Sequence, residues 1–192
     1  DLTRGRAIAG KLGLRACYQE AAAGVLRGPA RRARLNDLLD GSLAILGRAR
    51  RVSRSYIFVN DDERGLMTCR NEWAAPGVES FLGMTAAHGD FPYWLARLRA
   101  DLPVVGGDIL RDLPEEVHEI LTLQGIVSIL VVPLRVDRRL WGFLGLDECA
   151  ARREWSRLEV SLLGEFGDLI ACLIGRRRSR GARPAPAATA NT

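Results

Sequence analysis

The stretch VSILVVPLRVDRRLWGFLGLDECAARREW, residues 127–155, is the part of the chain around which the other elements must pack. Residues 128–136 are almost unbroken Ile, Leu and Val, and residues 140–146 are apolar with two glycines among them. The polar residues 137–139 between them predict a tight hairpin connection. Because a hairpin this apolar must be covered on both faces, we expect helices or a ligand-closing lid over it, as in a sensory α/β domain.

Length and charge limit the class of protein. A chain of 192 residues suits one domain with extensions, and a hydrophobic fraction of 47% is ordinary for a globular protein. Residues 1–34 carry eight basic and two acidic groups, and residues 176–192 carry five arginines and no acidic group, whereas residues 35–175 carry 15 basic and 21 acidic groups. An acidic body with basic flanks argues against a domain whose main surface binds nucleic acid.

The sequence also predicts no membrane span, no metal site and no catalytic site. The longest apolar runs are shorter than the ~18 residues that span a bilayer, and there is no signal-peptide pattern, so we expect a cytoplasmic location. The four cysteines have no CxxC spacing and are expected to be reduced thiols without a metal. Acidic pairs such as Asp61-Asp62 are adjacent in sequence and would not face each other, so the chain is predicted not to be an enzyme.

Periodicity and turn residues predict the remaining elements. They are, in order, a helix to about residue 26, a helix to about residue 50, strands at 55–60 and 66–73, an irregular segment at 74–90, a short helix at 91–99, a brief strand at 103–105, a helix capped by Asp112 and ending at Gly125, and a helix opened by the capping box Ser156-Arg157-Leu158-Glu159 and ending near residue 178.

Six short motifs along the chain carry a family resemblance. They are Arg54-Ser55-Tyr56-Ile57-Phe58, Glu72-Trp73, Gln124-Gly125-Ile126, Leu130-Val131-Val132-Pro133, Trp141-Gly142-Phe143-Leu144-Gly145-Leu146-Asp147 and Arg153-Glu154-Trp155. The order of these motifs, over roughly residues 30–178, resembles that of a GAF domain of a bacterial signalling protein of the sensor kinase or cyclase type. Asp1-Leu2-Thr3-Arg4 is similar to the ending of many PAS domains, which implies that a PAS domain precedes this segment.

The resemblance implies an α/β (α+β) fold. Its sheet would have six antiparallel strands, with helices from both ends of the domain on one face and a small-molecule pocket on the other, roofed by the central loop and helices. Dimers through the terminal helices are common in such domains. The expected organisation is a connector helix at 1–28, the GAF domain at 29–178 and a disordered tail or linker at 179–192.

Eight residues are the candidates for binding a ligand in that pocket. They are Tyr56, Phe58, Arg70, Trp73, Trp94, Gln124, Trp141 and Phe143. Because side chains alternate along a strand, Tyr56 and Phe58 are expected to share one face of their strand, and Trp141 and Phe143 are likewise expected to share one face of theirs. Aromatic walls with a few polar groups suit a small organic ligand, whereas the alternative is that the same side chains simply fill a core.

The better-known GAF ligands find little support in these residues. Bilin attachment needs a cysteine, commonly followed by histidine, and neither His88 nor His118 follows a cysteine. The Asn-Lys-Phe-Asp-Glu type of motif of cyclic-nucleotide-binding domains is missing. Haem remains open through either histidine, and no feature marks Cys69 or Cys149 as a redox sensor. The cofactor is therefore left unknown.

The leading hypothesis is a non-catalytic sensory domain of a two-component or similar bacterial signalling protein. It would bind an unidentified small molecule and relay a signal through its terminal helices, as a homodimer, to a kinase or cyclase output domain outside this chain. The alternative is a structural dimerisation and relay module that binds no ligand.

Overall fold

The structure is a computed structural model that describes residues 2–27 and 35–181. Its helices and strands are, in order, α1 (Leu2–Arg27), α2 (Leu35–Arg50), β1 (Arg54–Asp61), β2 (Leu66–Ala74), β3 (Thr85–Ala87), α3 (Pro92–Arg99), β4 (Val104–Gly106), α4 (Ile109–Asp112), α5 (His118–Leu123), β5 (Ser128–Val136), β6 (Arg139–Glu148) and α6 (Arg157–Gly181). The predicted end of the connector at residue 28 and residues 182–192 of the predicted tail lie outside the described residues.

All six strands belong to one antiparallel sheet, in the order β3-β2-β1-β6-β5-β4. Strands β5 and β6 form the hairpin predicted from residues 127–155. Asp137 and Arg138 join them with positive φ angles of 51° and 64°, the geometry of a two-residue turn that matches the twist of the strands. The predicted six-stranded antiparallel sheet is thereby confirmed.

The sheet separates two apolar clusters. On one face, α1, α2 and α6 pack on side chains such as Ile57, Leu144 and Leu146, so the apolar sides of the three long helices are buried there. On the other face, Tyr56, Phe58 and other residues are covered by shorter segments between β2 and β5. Two buried faces explain why the β5–β6 hairpin is apolar along nearly its whole length.

Helix α6 begins at the predicted capping box. The Ser156 Oγ accepts a hydrogen bond from the Glu159 N–H at 3.2 Å, and the Ser156 N–H donates to Glu159 Oε2 at 3.1 Å. Arg50 and Arg153 also donate to Glu159 Oε1, at 2.5 and 2.9 Å. One buried carboxylate therefore joins the start of α6 to the end of α2 and to the loop after β6.

Two local predictions are wrong. Asp112 does not cap the next helix, because its carboxylate accepts hydrogen bonds from the backbone N–H groups of Gly107 and Asp108, at 2.9 and 3.0 Å. That helix instead starts with a 3-10 turn at Glu115–Val117. The segment predicted to be irregular at 74–90 contains β3, whose three residues pair with β2 at the edge of the sheet. A three-residue edge strand is too short to produce a periodic pattern.

Two β-bulges change which side chains share a face. The β1–β2 register passes from Ile57 opposite Asn71 to Phe58 opposite Cys69, which leaves Arg70 as the extra residue. The β5–β6 register likewise passes from Leu134 opposite Gly142 to Arg135 opposite Leu140, so Trp141 is extra. Each extra residue reverses the alternation of side chains beyond it.

Candidate ligand cavity

An apolar cavity of about 40 Å³, here called the aromatic cavity, lies between the sheet and its short covering segments. It occupies the face opposite α1, α2 and α6. The sheet and the covering segments both contribute to its lining. The lining residues are Tyr56, Phe58, Met67, Phe81, Met84, Ala86, Phe91, Trp94, Leu121, Gln124, Ile126, Ile129 and Phe143.

Aromatic rings contact one another around this cavity. Phe58 and Phe143, on the adjacent strands β1 and β6, stack with centroids 5.0 Å apart and ring planes 5° from parallel. Tyr56 meets Phe58 edge to face at 5.6 Å, and Phe91 meets Trp94 in the same way at 6.3 Å. Such pairs contribute about 0.5–1.5 kcal/mol each beyond the area they bury, so they hold the aromatic rings of the wall in place. The free space corresponds to a few water-sized positions.

The structure brings five of the eight predicted ligand residues together at this cavity: Tyr56, Phe58, Trp94, Gln124 and Phe143. The other three lie elsewhere. Arg70 is exposed at the first bulge, and Trp73 and Trp141 pack, partly buried, against the core on the helix-covered face. The expectation that Trp141 and Phe143 share a face is wrong, because the bulge at Trp141 turns its side chain to the other side of β6.

A buried ion pair lies at the end of the cavity wall. Arg54 and Asp147 are direct partners in the β1–β6 register, and the Arg54 Nε donates to Asp147 Oδ2 at 3.0 Å. Their side chains are 1% and 0% exposed. The Tyr56 hydroxyl donates to Asp147 Oδ1 at 2.7 Å. Gly145 makes room for this arrangement, since a Cβ there would lie 2.3 Å from the Tyr56 ring.

The same guanidinium holds the segments that cover the cavity. The Arg54 Nη1 donates to the Glu79 carbonyl and the Nη2 to the Gln124 carbonyl, both at 3.0 Å. The Arg54 Cζ lies 3.6 Å from the centroid of the Phe81 ring, and the Nη2 also contacts Cys149 Sγ at 3.3 Å. Arg54 therefore ties the sheet to the β2–β3 loop and to the end of α5, two parts of the cavity roof.

Glu72 provides a second anchor for the β2–β3 loop. Its carboxylate accepts hydrogen bonds from the backbone N–H groups of Phe81 and Leu82, at 2.9 and 3.2 Å, and from the Ser80 hydroxyl. A carboxylate that binds several N–H groups orders the loop that carries them. Phe81 thus has two anchors, the hydrogen bond from its backbone N–H to Glu72 and the contact of its ring with Arg54.

Burial controls the protonation of this network. Burial raises the pKa of Asp147 from 3.8 to about 6, although the charge of Arg54 and the hydrogen bond from Tyr56 oppose the rise. Burial, together with the nearby Asp147 carboxylate, also raises the pKa of Tyr56 well above its usual range. Tyr56 therefore keeps its proton at neutral pH and acts as the hydrogen-bond donor in the pair.

The raised pKa of Asp147 predicts a pH dependence of stability. The folded protein binds this proton more tightly than the unfolded chain, so the stabilisation is complete below about pH 4 and is lost as the pH rises through about 6. A change of up to about 3 kcal/mol in the free energy of unfolding is expected from this group. The measurement is urea unfolding of the wild type and of Asp147→Asn at intervals from pH 4 to pH 7.

The difference in unfolding free energy between the wild type and Asp147→Asn isolates the contribution of Asp147. Groups with lowered pKa values, such as Asp112 at about 2, contribute to both proteins and cancel. We expect the stability of the wild type relative to Asp147→Asn to fall as the pH rises. A difference that stays constant or increases with pH would show that Asp147 is not protonated more readily in the folded state.

Arg54 and Asp147 were not among the predicted site residues, yet the sequence contains a signal for them. Counting alternate positions along β1 places Arg54 on the face of Tyr56 and Phe58, and counting back from Asp147 along β6 reaches Phe143. One arginine and one aspartate, on the same face of two apolar strands, need a buried partner of opposite charge. The antiparallel register of β1 and β6 is the one further fact needed to predict that Arg54 and Asp147 form this pair.

The cysteines and histidines do not line the aromatic cavity. Burial raises the pKa of Cys69 to about 12 and also raises that of Cys149, so both are thiols at neutral pH. The His118 Nε2 is 2.8 Å from the Leu113 carbonyl oxygen. Within residues 2–27 and 35–181, no three His, Cys, Asp or Glu side chains are grouped to hold a metal, and no helix has the length and apolar character to span a membrane.

The chain is similar to one part of a longer curated protein. The chain is 37% identical over 153 residues to the methanogenesis regulatory histidine kinase FilI of Methanothrix harundinacea (strain 6Ac). The match covers 76% of this chain and 17% of that kinase. The chain thus spans about a sixth of the length of the curated relative that it matches.

Solved structures share the fold at low sequence identity. A phycocyanobilin-bound GAF domain from a cyanobacterial phytochrome superposes with a TM-score of 0.78 at 18% identity, over 86% of this chain and 98% of that one. The PixJ GAF domain of Thermosynechococcus elongatus, in its blue-light absorbing form, gives a TM-score of 0.65 at 21% identity, over 74% and 86% of the two chains. The family model for the GAF domain matches residues 34–174. With this match over most of its length, the chain belongs to the GAF domain family.

Proposed function

We propose that this GAF domain is a sensor that binds a small molecule in the aromatic cavity and relays its presence through α1 and α6 to an output domain of the kinase or cyclase type. The observation that carries the proposal is the division of the sheet. An apolar cavity lies on one face and the long terminal helices pack on the other, so a change at the cavity can reach the helices through β1 and β6. The similarity to part of a regulatory histidine kinase supports this role.

Contacts between the two faces support the relay. Arg54 and Asp147 pair on β1 and β6 beside the cavity wall, and Cys149, two residues after Asp147, donates its N–H to the Ser53 hydroxyl at 2.9 Å. Farther along the same loop, the Arg153 Nη1 donates to the Arg50 carbonyl at the end of α2, and the Nη2 donates to Glu159 in α6. A shift of β6 relative to β1 would therefore act on the start of α6.

A ligand screen by thermal shift tests the sensory role. We expect at least one small metabolite to raise the melting temperature by several degrees, as ligand binding to the folded state requires. Ala86→Leu, which adds volume to the cavity wall, should abolish the shift. Ala87→Leu is the matched control, because its side chain points to the other side of β3. A screen in which no metabolite stabilises the protein would remove the sensory proposal.

Dimerisation through the terminal helices is part of the proposal. Helices α1 and α6 lie side by side and leave a surface groove of about 270 Å³, whose lining includes Gln19, Ala22, Glu165 and Leu169. The mixed apolar and polar character of this groove suits a contact with a second copy, and dimers through these helices are common in GAF domains.

Ala22→Arg is expected to weaken the dimer by roughly 100-fold or more, because in each copy a long side chain would fill the groove that the partner must contact and its charge would lose hydration there. Sedimentation or light scattering over a range of concentrations measures the change. The matched control is Ala96→Arg on the exposed side of α3, which should leave the mass unchanged. Circular dichroism checks that both variants are folded. A wild type that is a monomer throughout, or a variant that stays a dimer, would contradict the proposed interface.

A second candidate function is a relay and dimerisation module that binds no ligand. The small cavity volume of about 40 Å³ and the stacked Phe58 and Phe143 rings favour it. Only the ligand screen distinguishes the two candidate functions, because both require a dimer through the terminal helices.

Several wider features are proposed with this function. The chain is expected to carry no catalytic activity of its own, to follow a PAS domain within a two-component protein, and to act in the cytoplasm, which suits four cysteines that form no disulfide. The proposed domain limits remain 1–28 for the connector, 29–178 for the GAF domain and 179–192 for the tail.

A further inference from the structure

We propose that the aromatic cavity selects an uncharged, mostly apolar small molecule with one hydrogen-bond acceptor, and that the indole N–H of Trp94 binds this acceptor. The inference rests on the proposed sensory function and names the chemical class of the ligand. It is carried by a buried indole N–H that has no hydrogen-bond partner among the described residues, on a side chain that lines a mostly apolar cavity.

Trp94 is the observation that points to an acceptor. Its side chain lines the cavity and is only 3% exposed, and its Nε1 has no hydrogen-bond partner among the residues that the structure describes. A buried N–H without a partner costs about 1–3 kcal/mol, and buried indole N–H groups usually have one. A ligand oxygen at this position would remove that cost, whereas a hydrocarbon would leave it.

Gln124 adds a second donor beside the cavity. Its backbone carbonyl is occupied by Arg54, and its side-chain Nε2 has only a weak contact, at 3.9 Å, with the Met84 sulfur. A thioether sulfur is a poor acceptor, so this amide can exchange the contact for a better one. The same amide also has an acceptor oxygen, so Gln124 can serve either kind of ligand group, and the preference for an acceptor rests on the Trp94 N–H.

The charges near the cavity argue against an ionic ligand. Arg54 is the adjacent cation, but its donors are committed to Asp147 and to the Glu79 and Gln124 carbonyls. Neither Arg54 nor Asp147 is among the residues that line the cavity. An anion or a cation inside would therefore be buried without a free counter-charge, which is strongly unfavourable.

The cavity walls can adapt to a compact ligand. A volume of about 40 Å³ accepts only a few heavy atoms as it stands. Met67 and Met84 line it from the sheet and from the roof, and unbranched thioether side chains change rotamer readily to open further space. A ring of five or six atoms with a single carbonyl oxygen is the kind of molecule that these walls would accommodate.

Four small probes of similar size test the inference on the full chain. Cyclopentanone carries the acceptor, methylenecyclopentane has the same shape without it, and cyclopentanecarboxylate and tetramethylammonium carry a negative and a positive charge. Binding is followed by NMR through the indole N–H signals of ¹⁵N-labelled protein. We expect cyclopentanone to bind about 5- to 10-fold more tightly than methylenecyclopentane, as one buried hydrogen bond allows, and to move the Trp94 indole signal downfield.

Trp94→Phe keeps an aromatic ring and removes the donor, so it should abolish the preference for cyclopentanone. Trp73→Phe is the matched control, because Trp73 packs on the helix-covered face, and it should preserve the preference. The indole N–H signal that disappears in each variant is thereby assigned to Trp94 or to Trp73. Melting temperatures establish that both variants are folded.

Each other result overturns the inference. Equal affinity for cyclopentanone and methylenecyclopentane, or tighter binding of either charged probe, would reject the ligand class while leaving a ligand-binding cavity and the sensory function intact. Absence of binding by all four probes would also reject the ligand class. The proposed function would fail as well only if the metabolite screen also found no ligand.

Discussion

Replacement of Arg54 by methionine is expected to lower the free energy of unfolding by about 3–5 kcal/mol, the cost of breaking a buried ion pair by removing one partner. Methionine fills a similar volume, so little of the loss would come from a cavity. The loss would come from Asp147, which is fully buried and, among the residues that the structure describes, would retain only the Tyr56 hydroxyl as a side-chain hydrogen-bond partner. Urea unfolding with an unchanged m-value measures the difference.

The same change should loosen the roof of the cavity. Without Arg54, the carbonyls of Glu79 and Gln124 lose their donor and Phe81 loses the cation over its ring. Glu72 would still hold the β2–β3 loop through the Phe81 and Leu82 N–H groups. We therefore expect faster amide hydrogen exchange around Glu79 and Gln124 than around Phe81, a difference that a general loss of stability would not produce.

Arg70→Met is the matched control for this experiment. It makes the same substitution on the neighbouring strand, at an exposed bulge position, and should change stability by less than about 0.5 kcal/mol. A second variant, Arg54→Met with Asp147→Leu, removes both charges and should recover part of the loss, because no unpaired buried charge remains. A loss below about 1 kcal/mol in Arg54→Met would mean that the pair is not what joins the sheet to the roof.

Most of the fold was predictable because its elements have strong local patterns. The apolar β5–β6 hairpin, its polar turn and the capping box at Ser156 each have a physical cause within a few residues of sequence. The elements that were missed depend on distant partners. Strand β3 exists because its three residues pair with β2, and Asp112 binds backbone N–H groups that become available only when β4 ends beside it.

The cavity shows where prediction from alternating positions fails. Tyr56 and Phe58 lie on β1, the strand of this pair that carries no extra residue, and were assigned correctly to one face. Strict alternation along β2 from Cys69 would place the Trp73 side chain on the cavity face as well. The extra residue Arg70 interrupts this alternation, so Trp73 points to the helix-covered face instead. The extra residue Trp141 has the same effect next to Phe143. A bulge is set by how two strands pair, so it leaves no periodic signal in either strand alone.

Gly142→Ala is expected to destabilise the fold by about 3 kcal/mol or more, at or above the upper end of the usual cost of overpacking. Gly142 lies in β6 opposite Val59 of β1, immediately after the bulge at Trp141. A Cβ on Gly142 would lie 2.1 Å from the Phe58 carbonyl oxygen and 3.2 Å from the Val59 Cα. Because the obstacle is backbone, no change of side-chain rotamer can relieve the clash.

Relief would require β1 and β6 to separate at the centre of the sheet, where the stacked Phe58 and Phe143 rings and the Arg54–Asp147 pair depend on their register. We therefore expect Gly142→Ala to lose stability and to weaken ligand binding together. The matched control is Gly164→Ala in α6, where an added Cβ meets no atom within 4 Å. That variant should gain about 0.5–1 kcal/mol from helix propensity. If both variants unfold at the same urea concentration as the wild type, the close approach of β1 and β6 at Gly142 is not required by the fold.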